Sequence, residues 1–111
     1  MLYMRPFCET FVKEILPVLR SLLAKKLIET YSLSQKQVAT KLKTTQPAIS
    51  QYKRGLRGSK SYLISEFPEV DELVNNIAKK VASGELSAEQ VVDEFCSICE
   101  KLEGRYKPLK N

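Results

Sequence analysis

A chain of 111 residues, 43% hydrophobic and 28% charged, suits one globular domain with a real core and leaves no room for a second enzyme-sized unit. It contains no His, no Gly-rich phosphate loop and no Gly-x-Ser-x-Gly elbow, so the commonest general base and metal ligand are missing and no enzymatic activity is expected. The net charge of +5 conceals an asymmetry: residues 1–67 hold 12 Lys/Arg against 4 Asp/Glu, whereas residues 68–111 hold 6 against 9.

No apolar run approaches the roughly 18 residues needed to cross a membrane. The opening MLYMRPFCETF lacks the basic-then-apolar layout of a signal peptide, which makes a cytoplasmic protein without membrane association the expectation. In ETFVKEILPVLRSLLAKKLIETY the residues Phe11, Val12, Ile15, Leu16, Leu19, Leu22, Leu23, Leu27 and Tyr31 recur at three- and four-residue steps, the period of one buried helix face. Pro17 interrupts this pattern. It cannot donate to the preceding turn, so a kink or a break into two helices is expected there.

Gln35 to Leu42 reads as a short helix with Val38, Ala39 and Leu42 inward. Lys43-Thr44-Thr45 reads as a turn, with Thr45 as N-cap and Pro47 in the first turn of the next helix, where its missing N–H costs nothing. In that second helix Ile49 and Tyr52 point inward with Ala48. Pro47, Ser50, Gln51 and Arg54 face outward, with Gln46 exposed at the start. GLRGSK then reads as a loop and SYLISEF as one more short helix. Pro68 opens PEVDELVNNIAKKVASG, whose stripe of Val70, Leu73, Val74, Ile77, Ala78 and Val81 ends at Gly84. Ser87 and Gln90 form a capping box for AEQVVDEFCSICEKLEG, which ends at Gly104. No stretch alternates as a strand, and the expected fold is all-α.

Charge gives the middle of the chain its character. Between Glu29 and Glu66 there is no acid, while Lys36, Lys41, Lys43, Lys53, Arg54, Arg57 and Lys60 all fall there. Solvated helix faces usually mix signs, because opposite charges support a helix and like charges repel; a one-sign stretch of this length implies an external polyanion. Two short helices joined by a tight turn, with an apolar hinge beneath a polar and acid-free outer face, have what is needed to place a helix in the major groove of DNA.

The segment LSQKQVATKLKTTQPAISQYKRG resembles the helix-turn-helix of the lambda-repressor-like, Xre-type regulators in its Ser-Gln start, its Val-Ala pair, the Leu before the turn and the Ile-Ser of the second helix. Extended to LPVLRSLLAKKLIETYSLSQKQVA and ISQYKRGLRG, it is similar to a group of archaeal transcriptional regulators, some of them fused to a thiamine-phosphate synthase domain that this chain lacks. The likeness covers most of residues 8–103. It implies a lambda-repressor-like helix-turn-helix bundle with two additional C-terminal helices: residues 1–67 as the DNA-binding region with its motif at 34–55, and residues 68–111 as a helical pair for dimerisation or sensing within the same domain. Two residues depart from the family pattern. Lys43 stands where the turn Gly is usual, at a cost of roughly 1 kcal/mol if it is left-handed, and Thr44 stands where an apolar residue is usual. A turn of different shape is the other possibility for this stretch.

Carried over residue by residue, the resemblance implies that Gln46, Pro47, Ser50 and Gln51 face the bases, the two Gln amides each offering a donor and an acceptor to a base edge. It implies that Gln35, Lys43, Thr45, Lys53, Arg54, Arg57 and Lys60 meet backbone phosphates. The expected partner is double-stranded DNA, read by a homodimer on an inverted repeat, since a single short recognition helix spans too few base pairs to be selective. A helical adaptor docking on RNA or protein through the same basic helices is the alternative.

Cys96 and Cys99 form CSIC in the last helix, and Cys8 stands alone near the N-terminus. Val92, Phe95, Cys96, Cys99 and Leu102 fit one apolar face, so packing as small hydrophobes, with no cofactor, is the expectation. Zinc or an iron–sulfur cluster held by Cys8, Cys96 and Cys99 is one alternative and a redox disulfide another, either of which makes the regulator a sensor. The resembled regulators carry a Cys near the start and a CxxC in the last helix.

Overall fold

The computed structural model describes residues 11–54, 57–103 and 105, without the side chains of Val12, Lys53, Arg54 and residues 57–61. Every secondary-structure element among the described residues is a helix, with no strand among them. A π-helical turn, Phe11–Ile15, runs directly into α1 (Leu16–Glu29); α2 (Gln35–Lys41), α3 (Gln46–Arg54), α4 (Arg57–Glu66), α5 (Pro68–Ser83) and α6 (Ala88–Leu102) follow. The disturbance expected at Pro17 thus takes the form of a change in hydrogen-bond register, with Pro17 placed in the first turn of α1 where its missing donor is harmless. The loop expected over GLRGSK is corrected from Arg57 onward, where α4 begins, and its first two residues lie outside the described ones.

The centre of the molecule is α1, against which both α3 and α5 pack. Beyond the expected stripe of Ile15, Leu19, Leu22, Leu23 and Leu27, it buries Val18, Ser21 and Ala24. An amphipathic stripe anticipates one covered face; α1 is covered on more than one side, so apolar and small residues off the stripe are also needed. From α5 come Val70, Val74, Ile77, Ala78 and Val81, with Leu73 half-buried. Lys26 of α1 meets Asp71 of α5 at 2.9 Å across this contact.

Local signals set the helix ends. Ser87 and Gln90 cap α6 reciprocally, the Ser87 N–H donating to Gln90 Oε1 at 2.9 Å and the Gln90 N–H to Ser87 Oγ at 3.2 Å. Ser34 and Gln37 build the same device at the start of α2, at 2.8 and 3.0 Å. That second capping box follows from the same Ser-x-x-Gln spacing, and reading Ser34-Gln35 only as a family signature overlooks it. Gly84 stops α5 at φ +87°, left-handed as a Gly terminator requires.

On α6 the expected apolar face is corrected. The buried side chains are Val91, Phe95, Ile98 and Leu102, whereas Val92 is 58% exposed, Cys96 is exposed and Cys99 is half-buried. Apolar residues occupy two overlapping stripes on this helix, and at 100° per residue only one can face the core. The stripe through Ile98 wins, which turns Cys96 outward. Cys96 is therefore not a core residue.

One buried polar side chain ties the bundle together. Ser21, only 2% exposed, donates its hydroxyl to the backbone carbonyl of Tyr52 in the last turn of α3. Ser21→Ala is expected to lower the unfolding free energy by about 1 kcal/mol by removing this buried hydrogen bond. Urea denaturation measures this directly, and a change below about 0.5 kcal/mol means that water replaces the hydroxyl.

Candidate nucleic-acid interface

The stretch between Ser34 and Arg54 is assembled from the inside outward. Val38 and Ala39 of α2 and Ile49 of α3 are buried, while Leu42, Ala48 and Tyr52 are half-buried at the edge of the same contact. Ala39 keeps the crossing close. Between the helices, the Lys43 N–H donates to the Thr40 carbonyl (3.2 Å) and the Thr44 N–H to the Ala39 carbonyl (2.9 Å), with Lys43 left-handed at φ +54°. This is the paired bonding of a Schellman turn, normally closed by Gly. The chain thus keeps the ordinary turn shape despite its Lys, and Lys43 carries the left-handed strain of about 1–2 kcal/mol. Thr45 then caps α3, its Oγ1 accepting from the Ala48 N–H at 3.3 Å.

With Ile49 inward and Ser21 holding the Tyr52 carbonyl, the rotation of α3 about its axis is fixed. Gln46, Pro47 and Gln51 consequently stand exposed on the outer side, and Ser50 is half-buried beside them. Thr45 is exposed next to Gln46, and Gln35 is half-buried in the first turn of α2. Lys36 is exposed and Lys41 half-buried on α2. The backbones of Lys53, Arg54, Arg57 and Lys60 are helical, but their side chains lie outside the described residues. The four residues expected to face bases are therefore brought together on one helix, framed by a chain segment with no carboxylate.

Lys43 is disposed differently from the phosphate contact expected of it. Its left-handed backbone directs the side chain toward the start of α6, where Nζ lies 2.6 Å from Glu89. Both partners are about two-thirds exposed, so the pair contributes little to stability. It does place an acid of the C-terminal half against the turn, a connection that sequence spacing alone does not reveal.

Two carboxylates carry perturbed acidity. Glu89 is held below the usual carboxylate range by the hydrogen bond from Lys43 first, and then by its own backbone N–H at the helix start. Glu69 is held low by its own backbone N–H first and then by Arg105, whose guanidinium lies 2.9 Å away and stacks 5.0 Å over the Phe67 ring. A carboxylate whose folded pKa lies below its unfolded value stabilises the fold above the unfolded value and ceases to do so as pH falls through the folded one. Stability should accordingly decline below about pH 4.5. The double variant Glu69→Gln, Glu89→Gln should show a shallower decline in Tm between about pH 5 and pH 3. An unchanged slope would remove both pairs from the acid response.

Cys8 lies outside the described residues. Among the described residues no group of three or more His, Cys, Asp or Glu side chains is placed to hold a metal ion, and no helix is long and apolar enough to cross a membrane. Comparison of the chain with known protein families, with curated proteins and with solved structures gives no match.

Proposed function

We propose that the protein is a sequence-specific regulator of transcription that binds double-stranded DNA through a lambda-repressor-like helix-turn-helix, with α2 and α3 as its two helices and α3 entering the major groove. The observation that carries this reading is the outer face of α3: Gln46, Pro47 and Gln51 exposed on a helix whose opposite face is locked by Ile49, within a segment that has no acid from Thr30 to Ser65. Glutamine amides bond to both the N6 and N7 positions of adenine, so the two glutamines suit A·T recognition. The N–H groups at the start of α2, beside Gln35, suit a phosphate. A monomer contacts too few bases to select one genomic position, and a homodimer on an inverted repeat, joined through the acidic C-terminal helices, doubles the footprint.

Selection of bound duplexes from a random pool tests the whole reading in one experiment. The expected result is a palindromic consensus whose half-sites are spaced by about one helical turn. Enrichment without any consensus would remove sequence-specific recognition and favour a helical adaptor.

A further inference from the structure

An apolar groove of about 660 Å³ opens between α1, the α2–α3 turn and α6. On α6 two adjacent rows of side chains line it, Val91, Phe95 and Cys99 in one and Val92, Cys96 and Glu100 in the other. Val92 is the conspicuous exposed large hydrophobic side chain among the described residues, at 58%. An apolar surface of this kind is costly to leave in water and is the usual mark of an interaction site. Two charges frame it. Arg20 stands on the α1 wall and Glu100 on the α6 wall; both are exposed, and neither side chain has a hydrogen bond or ion pair among the described residues. Lys43, on the wall formed by the turn, is already engaged by Glu89.

We infer that this groove is the contact surface for a second copy of the chain, related by a twofold axis. Val92 of each copy seats in the groove of the other, and Arg20 of each meets Glu100 of the other. A surface pairs with itself about a twofold only if it carries both members of every contact. This one does. It offers a hollow and, lining the same hollow, an exposed apolar side chain able to fill one. It also holds one cation and one anion on different walls, so the rotation that brings Arg20 to Glu100 brings Glu100 to Arg20 as well. The apolar walls supply affinity, and the two charge pairs at the rim fix the register. A small apolar ligand would suit the walls but would leave both charges without a counterpart. Gln46, Pro47 and Gln51 are not among the residues that line the groove, so pairing leaves the outer face of α3 free. The inference rests on the homodimer proposed above and names α6, together with the α1 wall, as the surface that joins it.

Sedimentation equilibrium on the full chain without DNA tests it. The wild type should show a reversible monomer–dimer equilibrium. Val92→Lys places a charge in the apolar contact and should raise the dimer dissociation constant by about tenfold or more, with circular dichroism unchanged. Arg20→Glu and Glu100→Arg, taken singly, should each do the same, because each sets like charges against one another twice in the dimer. The double variant Arg20→Glu, Glu100→Arg restores opposite signs at both contacts and should return the dissociation constant to within roughly threefold of wild type. A double variant no tighter than the single ones would overturn the inference by removing the charge pairing. A dimer indifferent to every substitution would overturn it too, keeping the homodimer but placing its interface elsewhere. So would a wild type that stays monomeric at its highest soluble concentration, or one that grows beyond a dimer and so joins head to tail. Recognition of DNA by α3 is judged separately by the random-pool selection, whose outcome does not enter these measurements.

Discussion

Replacing Ile49 by Ala is expected to destabilise the protein by about 2–4 kcal/mol, more than any change on the outer face of the same helix. Ile49 is fully buried where α3 meets α1, and truncating it removes three carbons from a packed contact, with the lost transfer energy and the residual cavity both counting against the folded state. A domain of this size holds about 5–15 kcal/mol in total, so the loss is a large fraction of it. The hydrogen bond from Ser21 to the Tyr52 carbonyl opposes a shift of the α3 backbone into the gap. Urea denaturation, with midpoints compared at constant m, provides the measurement. A loss below about 1 kcal/mol would mean that α3 is held by its neighbours and not by this side chain. DNA affinity should fall along with stability, because the same contact sets the direction of Gln46 and Gln51.

Gln51→Ala should have the opposite signature. Gln51 is exposed on α3, and its removal should change stability by no more than about 0.5 kcal/mol. Binding to the preferred duplex should weaken by about 1–3 kcal/mol, with base preference relaxed at one position in each half-site. Titration of the variant against the consensus and against its single-base alternatives separates the possible outcomes. Equal weakening on every duplex would reassign Gln51 to the phosphate backbone, and no weakening at all would remove it from the interface. The contrast between Ile49 and Gln51, two residues apart on one short helix, makes the pair a sharper test than either substitution alone.

Much of the helical framework is legible in the residues themselves because it rests on short-range chemistry. The caps at Ser87 and Thr45, the stop at Gly84 and the tolerance of Pro47 and Pro68 in first turns each depend on neighbours within a few positions. The inward placement of Val38, Ala39 and Ile49 follows from helical period, and so does the exposure of Gln46, Pro47 and Gln51. The acid-free segment is a property of composition and needs no fold to be seen.

Other features come only from the tertiary structure, because they depend on which surfaces meet. On α6 two apolar stripes compete, and packing on the rest of the bundle selects Val91, Phe95, Ile98 and Leu102 while leaving Cys96 and Val92 outside. Ser21 resembles any helix serine until α3 lies across α1 and presents the Tyr52 carbonyl, 31 residues away, to its hydroxyl. Lys43 belongs by charge to the basic segment, yet its left-handed backbone turns it toward Glu89, 46 residues further on. The groove has no signature in sequence, since its walls come from three separate parts of the chain. Helical period and capping fix what each element is, but the side of α6 that is buried and the partners of Ser21 and Lys43 are decided by long-range contacts that no local spacing encodes.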